Sequence, residues 1–210
     1  LCDRRPHSRR RIWREREGVI MSELTHYFEL KAIPQAEMTQ NEIMSLLFEG
    51  VHRQLPPFKG RVGIGFPGYG RDHSVGGIIR LFGNEEDITA LNQMLHSQSE
   101  MTDYALMTVT KPIPSKVRGH YQFRRLRRKG MSDLRRAKAR LTQQGKWNEE
   151  VSERMIAHFD RPMTEPFLRI QSQSTGQKFS LWIKRRRINE SDEGVFSHYG
   201  LSHTRTIPNF

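Results

Sequence analysis

Between Leu24 and Thr110 the spacing of apolar residues alternates between the period of a strand and the period of a helix, in a fixed order. Leu24, His26, Phe28, Leu30 and Ala32 share one face of an alternating segment, which Pro34 ends. Thr39 and Glu42 form a capping-box pattern, and Ile43, Leu47, Val51 and Leu55 then recur every fourth residue. This predicts a helix over Gln40–Gln54, stopped by Pro56 and Pro57. Arg61–Phe66 and Gly77–Phe82 read as two strands joined by a long polar loop. Asn84 is placed to cap a second helix with an acidic first turn (Glu85, Glu86, Asp87) and an apolar face of Ile88, Leu91 and Leu95. Tyr104–Thr110 supplies a fourth strand. Strand, helix, strand, strand, helix, strand is the order of a ferredoxin-like α+β domain, with both helices on one face of an antiparallel sheet.

The composition changes at Lys111–Pro114. From there to Arg140 twelve residues are Lys or Arg and only Asp133 is acidic. The expected organisation is a ferredoxin-like domain over residues 21–111 and a smaller α+β domain over 112–210. The second domain is built on a basic helix from Ser132 to Gln143, a helix near Asn148–His158, and strands at Phe167–Gln171 and Phe179–Lys184. Leu134, Ala137 and Leu141 mark the inner face of the basic helix; Arg135, Arg136, Lys138 and Arg140 mark its outer face.

The formal net charge of +12 points to a polyanionic partner. A membrane surface competes for that role, but no apolar run approaches the roughly 18 residues of a spanning helix. Nucleic acid is therefore the expected partner. Cys2 is the only cysteine, which excludes internal disulfides and cysteine zinc sites and fits a reducing cytoplasm. The first 20 residues carry seven arginines without apolar periodicity, and read as a basic leader preceding a natural start at Met21.

Gly63, Gly65 and Gly68 match the dinucleotide-binding spacing, but Pro67 interrupts it and no helix opens at the third glycine, so that reading is rejected. No cluster of carboxylates or histidines has metal-ligand spacing, and no cofactor is expected. RNA cleavage without a metal remains open to such a chain, because the 2′-hydroxyl of RNA can attack the neighbouring phosphate once a base takes its proton. A histidine with a pKa near 6.5 suits that task. His52 lies one turn beyond Phe48, where it either emerges toward the second half of the chain or simply meets the negative end of the helix dipole. The segment Arg169–Gln177, RIQSQSTGQ, is either a solvated hairpin loop or a polar cradle. In the second case Ser172 meets a ribose, Ser174, Thr175 and Gln177 meet phosphates or bases, and Phe179 offers a stacking surface.

Four segments carry a family resemblance: IMSLLFEGVHRQL around His52, RVGIGFPGYG at 61–70, LRIQSQSTGQKFSLWI at 168–183 and FSHYGLSHT at 196–204. They resemble the CRISPR-associated endoribonucleases that process precursor transcripts in type I-F systems, over nearly everything after Met21. The resemblance implies that His52 is the proton-transfer residue, that Ser172 holds the attacking 2′-hydroxyl and that Tyr199 supports the histidine. It implies that Phe179 stacks under the last base pair of a repeat hairpin, that Arg125 and Arg127 read base edges, and that the arginine-rich helix lies in the major groove. Arg128 belongs to the same basic segment. Relatives often carry glutamine where Arg127 stands. The implied partners are the repeat hairpin or mature guide RNA, the backbone subunits of the type I-F surveillance complex and, in some systems, transposition proteins. A non-catalytic hairpin-binding cap and a sequence-specific DNA-binding protein are the competing readings.

Overall fold

The computed structural model describes residues 23–127, 130–160, 162–172, 175–191 and 194–210. The basic leader over residues 1–20, Arg128 and Ser174 lie outside these.

The first half follows the expected order. Strand β1 (His26–Ala32) leads to helix α1 (Gln40–Gln54), whose Thr39 cap and Glu42 form the reciprocal capping box. Strands β2 (Gly63–Gly65) and β3 (Ile78–Gly83) form an antiparallel pair, and Asn84 caps helix α2 (Glu85–His96) by accepting from the Asp87 N–H. Helix α3 (Ser99–Tyr104), strand β4 (Ala105–Met107) and the two-residue β5 (Lys111–Pro112) follow. The sheet order is β2-β3-β1-β4, with β5 also pairing with β1. Phe28 opposes Leu81 and Leu30 opposes Ile79 in this sheet, and all four are fully buried with Ile43, Leu47, Val51, Leu91 and Leu95 of the helices. Arg61 donates two hydrogen bonds of 2.7 Å to Asp87, tying the approach to β2 to the first turn of α2.

The strand expected over Tyr104–Thr110 is a correction. Tyr104 ends α3, and only Ala105–Met107 pair with β1. At the next position the Thr108 N–H still donates to Glu29 O (2.9 Å), but the Glu29 N–H donates to the Thr108 hydroxyl (2.9 Å) instead of its carbonyl, and Leu106 and Val109 stay exposed.

The second half is built on strand β6 (His120–Leu126), helix α4 (Met131–Gln143), helix α5 (Glu149–Asp160), strand β7 (Phe167–Gln171), strand β8 (Lys178–Ile188) and the two-residue β9 (Ile207–Pro208). Its antiparallel order is β7-β8-β6-β9. β6 was not legible as a strand, and β8 runs four residues past the expected Lys184, because both stretches put arginines where alternation would call for apolar residues. Helix α4 buries none of its residues: Leu134, Ala137 and Leu141 are half-buried, while Arg135, Arg136, Lys138 and Arg140 are exposed. It packs on α5, and Lys138 lies 5.5 Å over the Trp147 ring.

One contiguous apolar cluster joins the two sheets, running from Phe28 and Leu47 through Phe66 to Phe123, Ile183 and Ile207. The rejected glycine motif finds its reason at this junction. A Cβ on Gly63 would come within 2.4 Å of the Phe196 ring, and one on Gly65 within 2.3 Å of Ile207. Gly68 lets the backbone of Gly76, held at φ +87°, approach it directly. No helix among the described residues is long and apolar enough to cross a membrane.

Candidate active site

Strand β7 is an edge strand, so the N–H groups on its outer side need partners. Arg169 and Gln171 are two residues apart and therefore present their N–H groups to the same side. Helix α1 covers that side with two residues one turn apart: the Ser45 hydroxyl accepts from the Arg169 N–H at 3.0 Å, and the Glu49 carboxylate accepts from the Gln171 N–H. Three residues beyond Glu49 on the same helix stands His52. The two bonds thus set the register in which Ser172, directly after β7, meets the last turn of α1.

His52 and Ser172 line one cavity of about 280 Å³, together with Glu49, Arg53, Gln171 and Gly176. They are 120 positions apart in sequence, and the cavity has a cationic wall in Arg53, whose guanidinium also pairs with Glu100 at 2.8 Å. The Ser172 backbone is fixed at both ends: its N–H donates to Gln177 O (2.9 Å) and its carbonyl accepts from Gly176 N–H (2.8 Å). The Gly176 φ of +68° lets the chain turn back there, and the Thr175 N–H donates to the Ser172 hydroxyl at 3.3 Å. Thr175 and Gln177 are exposed and lie outside the cavity lining.

The orientation of His52 follows from its partner. Nδ1 lies 2.9 Å from the carbonyl oxygen of His198. A carbonyl can only accept, so Nδ1 carries the proton and Nε2 of the neutral ring holds the free lone pair. Burial holds the His52 pKa below its ordinary value; the bond to the His198 carbonyl opposes this, and the nearby His198 ring adds to it. The neutral form, able to accept a proton, is therefore favoured near neutral pH. On its face the imidazole stacks against Tyr199, with centroids 4.5 Å apart and planes 28° apart.

The segment that supplies Tyr199 and His198 is pinned to both sheets. Ile64 N–H donates to Gly200 O (2.8 Å), Ser202 N–H donates to Phe123 O (2.9 Å), and Gly200, with φ +67°, sits where a Cβ would strike Ile64. Arg125 extends the stack: its guanidinium lies 5.0 Å from the Tyr199 ring and 5.1 Å from the Phe179 ring. Imidazole, phenol, guanidinium and phenyl thus form a continuous series from His52 to Phe179. Arg125 and Arg127 line a second cavity of about 430 Å³ with His198, Tyr199 and His203. The His198 pKa is lowered by burial and then by the charge of Arg125.

The structure therefore brings together His52, Ser172, Tyr199, Arg125, Arg127 and Phe179. It sets apart Arg135, Arg136, Lys138 and Arg140 on α4, which line neither cavity. Glu49, Arg53 and His198 were missed by the sequence reading. The recurrence of Ser45, Glu49 and His52 beside the apolar stripe of α1 was the signal available for Glu49; His198 carries no local signal. Among the described residues no group of three or more His, Cys, Asp or Glu side chains is placed to hold a metal ion.

Comparison with known proteins adds a family. The family model described as CRISPR-associated protein (Cas_Csy4) matches residues 27–210. A relative named CRISPR-associated endonuclease Cas6/Csy4, from Escherichia coli (strain UTI89 / UPEC), is 32% identical over 192 residues, covering 89% of this chain and 100% of its own length. A protein of the same name from Pseudomonas aeruginosa (strain UCBPP-PA14) is 30% identical over 193 residues, with the same two coverages. Since the match runs from β1 to the last residue and takes in both sheets and every side chain of the two cavities, this chain belongs to the Csy4 family of CRISPR-associated proteins.

Proposed function

We propose that the chain is a metal-independent endoribonuclease that recognises the stem-loop of a CRISPR repeat, cuts the precursor once at the 3′ base of the stem, and keeps the product. The meeting of His52 and Ser172 in one cavity carries this reading, and the endonuclease names of the relatives support it. In the proposed step His52 Nε2 takes the proton of the 2′-hydroxyl that Ser172 holds. The 2′-oxygen attacks the adjacent phosphorus in line, the P–O5′ bond breaks, the leaving 5′-oxygen takes a proton from solvent, and His52 then gives its proton back to solvent. One product ends in a 2′,3′-cyclic phosphate, which water can open to a 3′-phosphate; the other begins with a 5′-hydroxyl. Tyr199 holds the imidazole plane and Arg53 offsets the charge that develops on the phosphate. Phe179 gives the last base pair a face to stack on, Arg125 and Arg127 read base edges, and Thr175 and Gln177 reach flanking phosphates or bases.

In this reading residues 112–210 are the hairpin-binding domain, with the cations of α4 entering the groove where the short stem opens. An A-form major groove is otherwise too narrow for side chains. The 21–111 domain faces the backbone subunits of a type I-F surveillance complex. Incubating a repeat transcript with the protein in EDTA and mapping the ends tests class, metal dependence and chemistry together. The expected result is one cut, a cyclic or 3′-phosphate on the hairpin, and no loss of rate; dependence on a divalent cation overturns the mechanism.

The pH profile follows from the lowered His52 pKa. Cleavage needs the neutral imidazole, so activity is lost as pH falls through that pKa. The acid limb of the single-turnover rate is expected to have its midpoint below the roughly 6.5 of an unperturbed histidine. A limb centred at or above that value removes His52 as the base.

A further inference from the structure

The core of the second sheet takes up one face of β8 through Leu181 and Ile183, both fully buried. Residues of the opposite parity therefore share the other face: Lys178, Ser180, Trp182, Lys184 and Arg186. Lys178, Lys184 and Arg186 are exposed on it. The Trp182 ring meets that of Phe167 across the β7–β8 pair at 4.6 Å and 45°, and both remain half-buried.

Two features of this face are unfavourable within the protein. Arg124 on β6 stands directly opposite Lys184, and like charges at directly opposed positions destabilise a sheet. Arg124 Nε is also shielded from solvent without a hydrogen-bond partner among the described residues. Glu165, 3.5 Å from the Lys184 ammonium, offsets only part of this charge. A row of cations interleaved with an aromatic pair suits a single-stranded nucleic acid, whose phosphates meet the charges and whose bases stack in a sequence-tolerant way.

We propose that this strip of the second sheet binds the single-stranded RNA that continues 3′ of the cut. The proposal rests on the endoribonuclease reading. Lys178, at one end of the strip, pairs with Gln171, the neighbour of Ser172. The strip therefore begins where the reacting ribose is held, and the first nucleotides of the leaving strand are the part of the substrate nearest to it. From Lys178 to Arg186 it extends about 26 Å, at roughly 3.3 Å per residue. The precursor possesses this strand and the retained hairpin does not. Its contacts thus strengthen binding before the cut and are surrendered with the released strand, so product affinity rests on the hairpin alone.

The test uses the full chain and uncleavable RNAs with a 2′-deoxyribose at the attacking position: the bare hairpin, the hairpin with a single-stranded 3′ extension, and the hairpin with a 5′ extension of equal length. The wild type is expected to bind the 3′-extended RNA several-fold more tightly than the bare hairpin. Its salt dependence should be steeper by roughly 0.7 in log–log slope for each added phosphate contact. In K184E/R186E, and more mildly in K184Q/R186Q, that gain and the extra slope are expected to vanish while bare-hairpin affinity and cutting of a minimal substrate stay unchanged. A 3′ extension that adds nothing to wild-type binding overturns the proposal. So does a gain from the 5′ extension instead, or an equal loss on the bare hairpin. Failure of the wild type to bind or cut any hairpin would instead remove the endoribonuclease reading.

Discussion

His52→Ala is expected to slow cleavage of a repeat hairpin by roughly 10²- to 10⁴-fold, the usual worth of one general acid–base group, while hairpin affinity stays at the wild-type level. The fold should tolerate the change, since the side chain is half-exposed near the end of α1 and alanine favours helix there. What disappears is the Nε2 lone pair, together with the ring that stacks on Tyr199. Single-turnover rates and equilibrium binding measured on the same RNA separate the two effects. Cutting at the wild-type rate would remove His52 from the mechanism. A parallel loss of affinity would assign the residue to binding.

The second large effect is expected in the substrate. A hairpin with 2′-deoxyribose on the nucleotide 5′ of the cut is expected to bind as tightly as the all-RNA hairpin and to remain whole, because its only change is the missing nucleophile. This experiment divides the rival readings cleanly. A nuclease that activates water would cut the deoxy substrate. A non-catalytic hairpin cap would leave both RNAs intact, and a DNA-binding protein would prefer a duplex of the same sequence in DNA form. Gel analysis of the two hairpins and of the DNA duplex with one protein preparation is sufficient.

The first half of the fold was legible because its signals are local. Thr39 and Glu42 announce the start of α1 and two prolines its end, so its limits Gln40–Gln54 are those expected from periodicity and capping. Asn84 does the same for α2. Where binding chemistry and folding pattern compete for the same positions, legibility fails. In β6 the run Arg124, Arg125 replaces apolar alternation, although Phe123 is buried and Gln122 is buried with its amide bonded to Thr204 O at 3.1 Å. In β8 the run Lys184 to Arg187 hides the last third of the strand. Helix α3 has six residues and no side-chain cap, too little for a periodic signal.

For the site, the residue types in RIQSQSTGQ left a solvated loop and a polar cradle equally open, and the roles given to His52, Ser172 and Tyr199 came from family resemblance. The structure adds a physical link between them. Ser45 and Glu49 secure the free edge of β7, and this brings the loop containing Ser172 to the helix that bears His52.

Taken alone, the amino-acid order determined β1, α1, β2, β3 and α2 and the basic character of the second half, and pointed to a polyanion as partner, since period, caps and charge are properties of neighbouring residues. Only the tertiary structure decided which nitrogen of His52 is free, that Arg125 lies between Phe179 and Tyr199, and that the glycines at 63, 65 and 68 serve close packing. Each of those depends on a carbonyl, a ring or a backbone contributed by another part of the fold, and no local pattern encodes the distance between them.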